Sequence, residues 1–113
     1  MAIEPGYSNL IKQALTSYAS LLAKNPSPSY DIILAFDDEH HQYLLRKLGW
    51  TESSRLRQTV LHIAIHKGKI WIEEDWTEEG IATYFLSHKV PREKIVLGFQ
   101  APIMRPYTEF AVD

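Results

Sequence analysis

Cysteine is absent from this 113-residue chain, which excludes disulfides, thiolate catalysis and zinc sites of the cysteine type. Long apolar runs are missing as well. A charged residue or histidine interrupts every candidate before the roughly 18 to 20 residues that a membrane span requires. Glycine is scarce, with five residues in all, and none builds a phosphate-cradling loop. Met1 to Asn9 contain neither a basic leader nor an apolar stretch ending in small residues, so no secretory signal is expected. These absences point to a cytoplasmic protein outside the membrane.

An excess of positive charge is also lacking. Twelve Lys and Arg stand against 14 Asp and Glu, a formal net charge of −2, whereas duplex DNA binding draws on clustered cations that neutralise phosphates. The nearest approaches to a cluster are Arg46 with Lys47, Arg55 with Arg57, and Lys67 with Lys69, which apolar or acidic sequence separates. They read as solvated strand edges and turns, and strong direct nucleic-acid binding is not expected.

What is present suffices for a core. An apolar fraction of 45% and an aromatic fraction of 12% argue against disorder, and the length suits a single domain spanning residues 1–113. Tyr7, Leu10, Ile11, Ala14, Leu15, Tyr18, Leu21 and Leu22 recur at helical spacing. Asn25-Pro26-Ser27-Pro28 is expected to end that helix. The period then becomes two, with Tyr30, Ile32, Leu34 and Phe36 on one face of a strand and Asp31, Ile33 and Ala35 on the other. Asp37 to His40 have turn chemistry, and His41 to Trp50 return as a second strand. Placing Phe36 opposite His41 sets Asp31 opposite Arg46.

Leu56 to His66 and Lys69 to Glu74 are joined by Lys67-Gly68, a two-residue hairpin signal. In that register Ile63 faces Ile72, Ala64 faces Trp71, and His62 pairs with Glu73. Asp75-Trp76-Thr77-Glu78 has capping-box spacing, with Asp75 as cap and Glu78 at the third helical position. A second helix is expected through Ile81, Tyr84 and Phe85, ending before Pro91. Ile95-Val96-Leu97 then forms a short strand closed by Gly98, and Pro102 and Pro106 keep the tail irregular. The fold class is therefore α+β: an N-terminal helix, a four-stranded antiparallel meander, a second helix and a short C-terminal strand, with both helices on one face of the sheet. The other face carries Ile33, Leu44, Ala64 and Trp71, and is expected to be covered by a second subunit or by the tail Ala101 to Asp113. A homo-oligomer, most simply a dimer, follows.

No catalytic constellation emerges. Four residues along a strand separate His62 from His66 by about 13 Å, too far for one metal ion. His40 and His41 beside Asp37, Asp38 and Glu39 have ligand chemistry for a cation, but charged turns commonly carry none. In the acidic run Glu73, Glu74, Asp75, Glu78 and Glu79, capping accounts for Asp75 and Glu78, and Lys69 lies near the far end of the hairpin from Asp75. No serine stands in a nucleophile elbow. Trp50, Trp71 and Trp76 are expected to pack in the core, since no basic groove accompanies them. No cofactor, metal or catalytic residue is assigned.

The stretch Val60-Leu61-His62-Ile63, then Gly68-Lys69-Ile70-Trp71-Ile72, Asp75, Thr77-Glu78 and Gly80-Ile81-Ala82, resembles the centre of the XisI family. Val90-Pro91, Ile95-Val96-Leu97-Gly98-Phe99 and the ending Arg105-Pro106-Tyr107-Thr108-Glu109-Phe110-Ala111-Val112 are similar to that family's second half in order and spacing. Tyr43-Leu44-Leu45, Gly49-Trp50 and the leading helix extend the likeness over nearly the whole chain. Trp76 departs from the pattern, a smaller residue such as glycine being common there. The resemblance implies cyanobacterial biology: a non-catalytic factor controlling programmed excision of the fdxN element during heterocyst differentiation, alongside the recombinase XisF and an endonuclease-like partner, XisH. It brings no catalytic residues. Arg105, Tyr107, Phe110 and Trp71 are the expected partner interface, aromatic and arginine side chains being typical anchors. The competing readings are a small metal-dependent nuclease or hydrolase and a direct DNA-binding accessory factor.

Overall fold

The computed structural model describes residues 5–24 and 30–113. The expected helix stop at Asn25-Pro26-Ser27-Pro28 lies outside the described residues. Helix α1 (Pro5–Ala23) is followed by strands β1 (Tyr30–Asp37), β2 (Gln42–Trp50), β3 (Arg55–His66) and β4 (Lys69–Asp75), helix α2 (Ile81–Ser87) and strand β5 (Ile95–Leu97). One sheet results, in the order β1-β2-β3-β4-β5. The first four strands form the antiparallel meander, and β5 lies parallel to β4, with Ile70 opposite Ile95 and Ile72 opposite Leu97.

The alternation read from the sequence sets the buried face. Ile11, Ala14 and Leu15, at i, i+3 and i+4 on α1, are fully buried against Tyr43, Leu45, Leu61, Ile63, Ile70 and Ile72 from the sheet. Ile81 and Phe85 bring α2 onto the same core. Both helices thus cover one face. Lys67 and Gly68 have φ of 56° and 73°, and two positive angles in a two-residue loop match the right-handed twist of the strands they join.

Register departs from expectation in two places. Phe36 faces Tyr43 rather than His41, and Asp31 faces Leu48 rather than Arg46, whose partner is Ile33. The Asp37 carboxylate accepts the backbone N–H groups of Glu39 and His40 at 3.0 and 3.1 Å, and His41 takes a positive φ of 56°. The turn therefore closes one residue later, with Asp37 as the last strand residue. A shift of two in the pairing sum leaves every side chain on its expected face.

His62 pairs with Glu74, not Glu73, because a bulge between His62 and Ile63 leaves Glu73 as the additional residue on β4. Glu73 turns instead toward β5: a Cβ added to Gly98 would lie 2.6 Å from a Glu73 carboxylate oxygen. This close approach explains the glycine that ends β5. The His62 ring nitrogen Nε2 meets the Gln42 amide oxygen at 2.7 Å. A second bulge, at Leu45/Arg46, leaves Val60 without a strand partner. Its carbonyl accepts the Trp76 N–H at 2.9 Å, so the displaced backbone remains bonded.

Candidate functional site

The capping box takes another form in the structure. Helix α2 begins at Ile81 with Gly80 as its N-cap, and Glu78 is exposed. Asp75 nevertheless caps the helix, reaching across six residues. Its Oδ2 accepts the Ile81 N–H at 2.7 Å, and its Oδ1 accepts the Thr77 N–H at 2.9 Å and the Thr77 hydroxyl at 2.6 Å. The end of β4 and the start of α2 are thereby tied through one carboxylate.

At the β1–β2 turn the two aspartates face different partners. Asp37 accepts from the His40 ring nitrogen Nδ1 at 2.8 Å as well as from the turn backbone. Asp38 accepts from Lys12 at 2.6 Å, from the Tyr43 hydroxyl at 2.8 Å and from Ser8 at 2.9 Å, which anchors α1 to the turn. Those donors, Lys12 foremost, hold the Asp38 carboxyl at about 2. The His40 ring likewise lowers Asp37, and burial raises the Tyr43 hydroxyl. Among the described residues, no group of three acidic or histidine side chains converges to hold a metal.

The Asp38 and Tyr43 shifts predict a stability that depends on pH. The folded value of Asp38 lies below its ordinary 3.8, so its contribution is present above that pH and is lost as the pH falls toward 2. Tyr43 acts at the other end, stabilising below its ordinary 10.0 and losing that contribution as the pH rises beyond it. Thermal unfolding followed from neutral to acid pH is expected to show a decline in Tm that Asp38→Asn makes shallower. The remaining slope comes in part from Asp37. An identical slope in wild type and variant would count against this anchor. Asp38 is exposed, so the effect is small and weakens with salt.

The second face of the sheet is half covered by the C-terminal tail. After β5 the chain forms a 3-10 helix (Pro102–Tyr107), more regular than the prolines suggest, and Ala111 then bridges to Val96. Arg105 fastens this segment. Its guanidinium lies 5.2 Å from the Trp71 ring centre and donates to the carbonyls of Gln100, Gly98 and Val112 at 3.1, 3.3 and 3.5 Å. Of the four expected interface residues, Arg105 and Trp71 therefore contact one another, and Phe110 packs against the core beneath the Arg92 guanidinium. Tyr107 stands apart, 81% exposed, with Ile103 at 79% beside it on the same short helix. Ile33 and Ala35 on β1 stay exposed at the uncovered half of the face.

Trp50 and Trp76 are 60% and 67% exposed, contrary to the core packing expected of them. Trp50 ends β2 with the Arg55 guanidinium over its ring. The Trp76 indole N–H donates to Glu74 at 2.7 Å, which holds that ring outside the core.

The fold defines a small α+β protein in which a five-stranded sheet lies under two helices, with exposed apolar side chains on its second face and tail. The chain belongs to the XisI family, whose model, XisI protein, matches residues 1–112. Two solved structures from Anabaena variabilis ATCC 29413 share the fold. A XisI-like protein is 36% identical with a TM-score of 0.88, over 96% of this chain and 97% of that one. The fdxN element excision controlling factor XisI is 35% identical with a TM-score of 0.83, over 95% and 96%. No curated protein matches the chain.

Proposed function

We propose that this protein is a non-catalytic regulatory factor controlling programmed excision of a DNA element, and that it acts through contact with an XisH-like protein. The observation that carries the reading is the clamped tail of a XisI-family chain, which holds Tyr107 and Ile103 almost fully out to solvent. Large apolar side chains fixed in that state match the anchors of protein interfaces. The relative named as an excision controlling factor supports the regulatory role. The uncovered half of the outer face, with Ile33 and Ala35, pairs with a second copy of the chain.

The placement of the cations argues against direct, sequence-specific DNA binding. Lys47 lies over the Tyr30 ring, Arg55 over Trp50 and Arg105 over Trp71, while Lys12 pairs with Asp38 and Arg92 with Glu109. Such dispersed and engaged cations offer little phosphate neutralisation.

The test is light scattering and mobility shift at physiological salt, on the protein alone, with an XisH protein and with element-border DNA. The expected results are a dimer alone, a complex with XisH at micromolar concentration that Tyr107→Ala weakens about tenfold, and no sequence-specific DNA shift. A 13.1 kDa species alone would remove the dimer. Failure to bind XisH, or specific DNA binding or cleavage without it, would overturn the function.

A further inference from the structure

A groove lies on the helical side of the molecule, between the C-terminal half of α1, α2 and the loop that follows β4. It encloses about 760 Å³, and no residue of the tail lines it. Tyr18, Leu22, Val60 and Tyr84 give it an apolar lining, and Leu21 and Trp76 border it. Those last two are 56% and 67% exposed. An exposed tryptophan next to an exposed leucine over an open apolar groove is the arrangement that interface anchors occupy.

Among the described residues, carboxylates outnumber cations in the groove lining. Glu78 and Glu79 line it, both are exposed, and among the described residues neither enters an ion pair. Glu74 adds a third carboxylate through its bond to the Trp76 indole. Lys47, the single cation in the lining among the described residues, is drawn over the Tyr30 ring, 4.8 Å from its centre. An acidic partner would meet unpaired carboxylates here, and a basic one would neutralise them.

We propose that this groove receives an amphipathic helix of a partner protein, with large apolar side chains along one face and Lys or Arg on its flanks. The helix lies across the open side of the groove, its apolar residues at i, i+3 or i+4, and i+7 fill the groove against Tyr18, Val60 and Tyr84, and its cations meet Glu78 and Glu79. This surface is separate from Tyr107, so it stands or falls independently of contact between the tail and XisH.

The experiment uses the full chain and a fluorescent helical peptide of about 18 residues, with Leu and Phe on one face and Lys on the flanks. A counterpart with every Lys replaced by Glu serves as comparison, and anisotropy is read at physiological salt. The basic peptide is expected to bind at micromolar concentration and the acidic one at least about tenfold more weakly. The double substitution Glu78→Lys and Glu79→Lys reverses that preference. Trp76→Ala weakens the basic peptide by about tenfold or more, while Tyr107→Ala leaves it unchanged. All four substituted side chains are exposed, and circular dichroism confirms that the variants fold. Equal binding of the two peptides, no binding of the basic one, or displacement of the peptide by a single-stranded oligonucleotide would overturn the proposal.

Discussion

Asp75→Ala is expected to cost about 3 kcal/mol of folding stability, a large fraction of what holds a domain of this size together. The carboxylate accepts three hydrogen bonds, from the Thr77 N–H, the Thr77 hydroxyl and the Ile81 N–H. Bonds to a charged acceptor are stronger than neutral ones, and a negative charge at the first turn of α2 is favourable. Alanine leaves all three donors without this partner. The effect then spreads, because Thr77 in turn accepts the Gly80 N–H at 3.1 Å, and α2 delivers the fully buried Ile81 and Phe85 to the core. Asp75→Asn keeps an acceptor oxygen for one side of the cap and loses roughly half as much. Denaturant unfolding measures both. A loss under about 1 kcal/mol in Asp75→Ala would show that water replaces the carboxylate and that α2 holds its place by packing alone.

Arg105→Ala is expected to cost about 2 kcal/mol and to release the tail. The guanidinium donates to three backbone carbonyls while its plane lies near the Trp71 ring. Without it the tail keeps the Val96–Ala111 bridge and the Ala111 N–H bond to Ile95 at 2.8 Å. Limited proteolysis should then cut within residues 101–113 where the parent resists, and Trp71 emission should shift to the red. Arg105→Lys does not restore resistance, because an ammonium cannot supply the forked donors that reach three carbonyls while stacking on a ring. An Arg105→Ala variant with parental proteolysis would show that the tail is held by its bridge instead. The variant also tests the proposed XisH contact: a released tail no longer presents Tyr107 in a fixed position, so any binding of XisH through it should weaken.

Much of the candidate surface was legible in residue type and hidden in geometry. Arg105, Tyr107, Phe110 and Trp71 were recognisable as anchor chemistry, but spacing cannot say that Arg105 spends its guanidinium on Trp71 while Tyr107 is left free. That division follows from the docking of the tail against β4 and β5. The groove was less legible still. Tyr18 and Leu22 come from α1, Val60 from a bulge in β3, and Tyr84 from α2. The one available signal was Trp76, a large apolar residue within the acidic run from Glu73 to Glu79.

The sequence alone determined which faces of α1 and of the strands turn to the core, where the Lys67-Gly68 hairpin turns, that two helices flank a meander, and that the chain is similar to XisI proteins over nearly its full length. These features rest on local periodicity and turn chemistry, which neighbouring residues specify. Tertiary structure decided the rest: the pairing at the β1–β2 turn, the bulge that moves His62 from Glu73 to Glu74, the cap that Asp75 supplies six residues ahead, the parallel docking of β5, and the seating of the tail against β4 and β5. Alternation with a period of two assigns a side chain to a face but leaves its partner open by even steps. Bulges, distant caps and cation–ring contacts join residues that only the folded chain brings together.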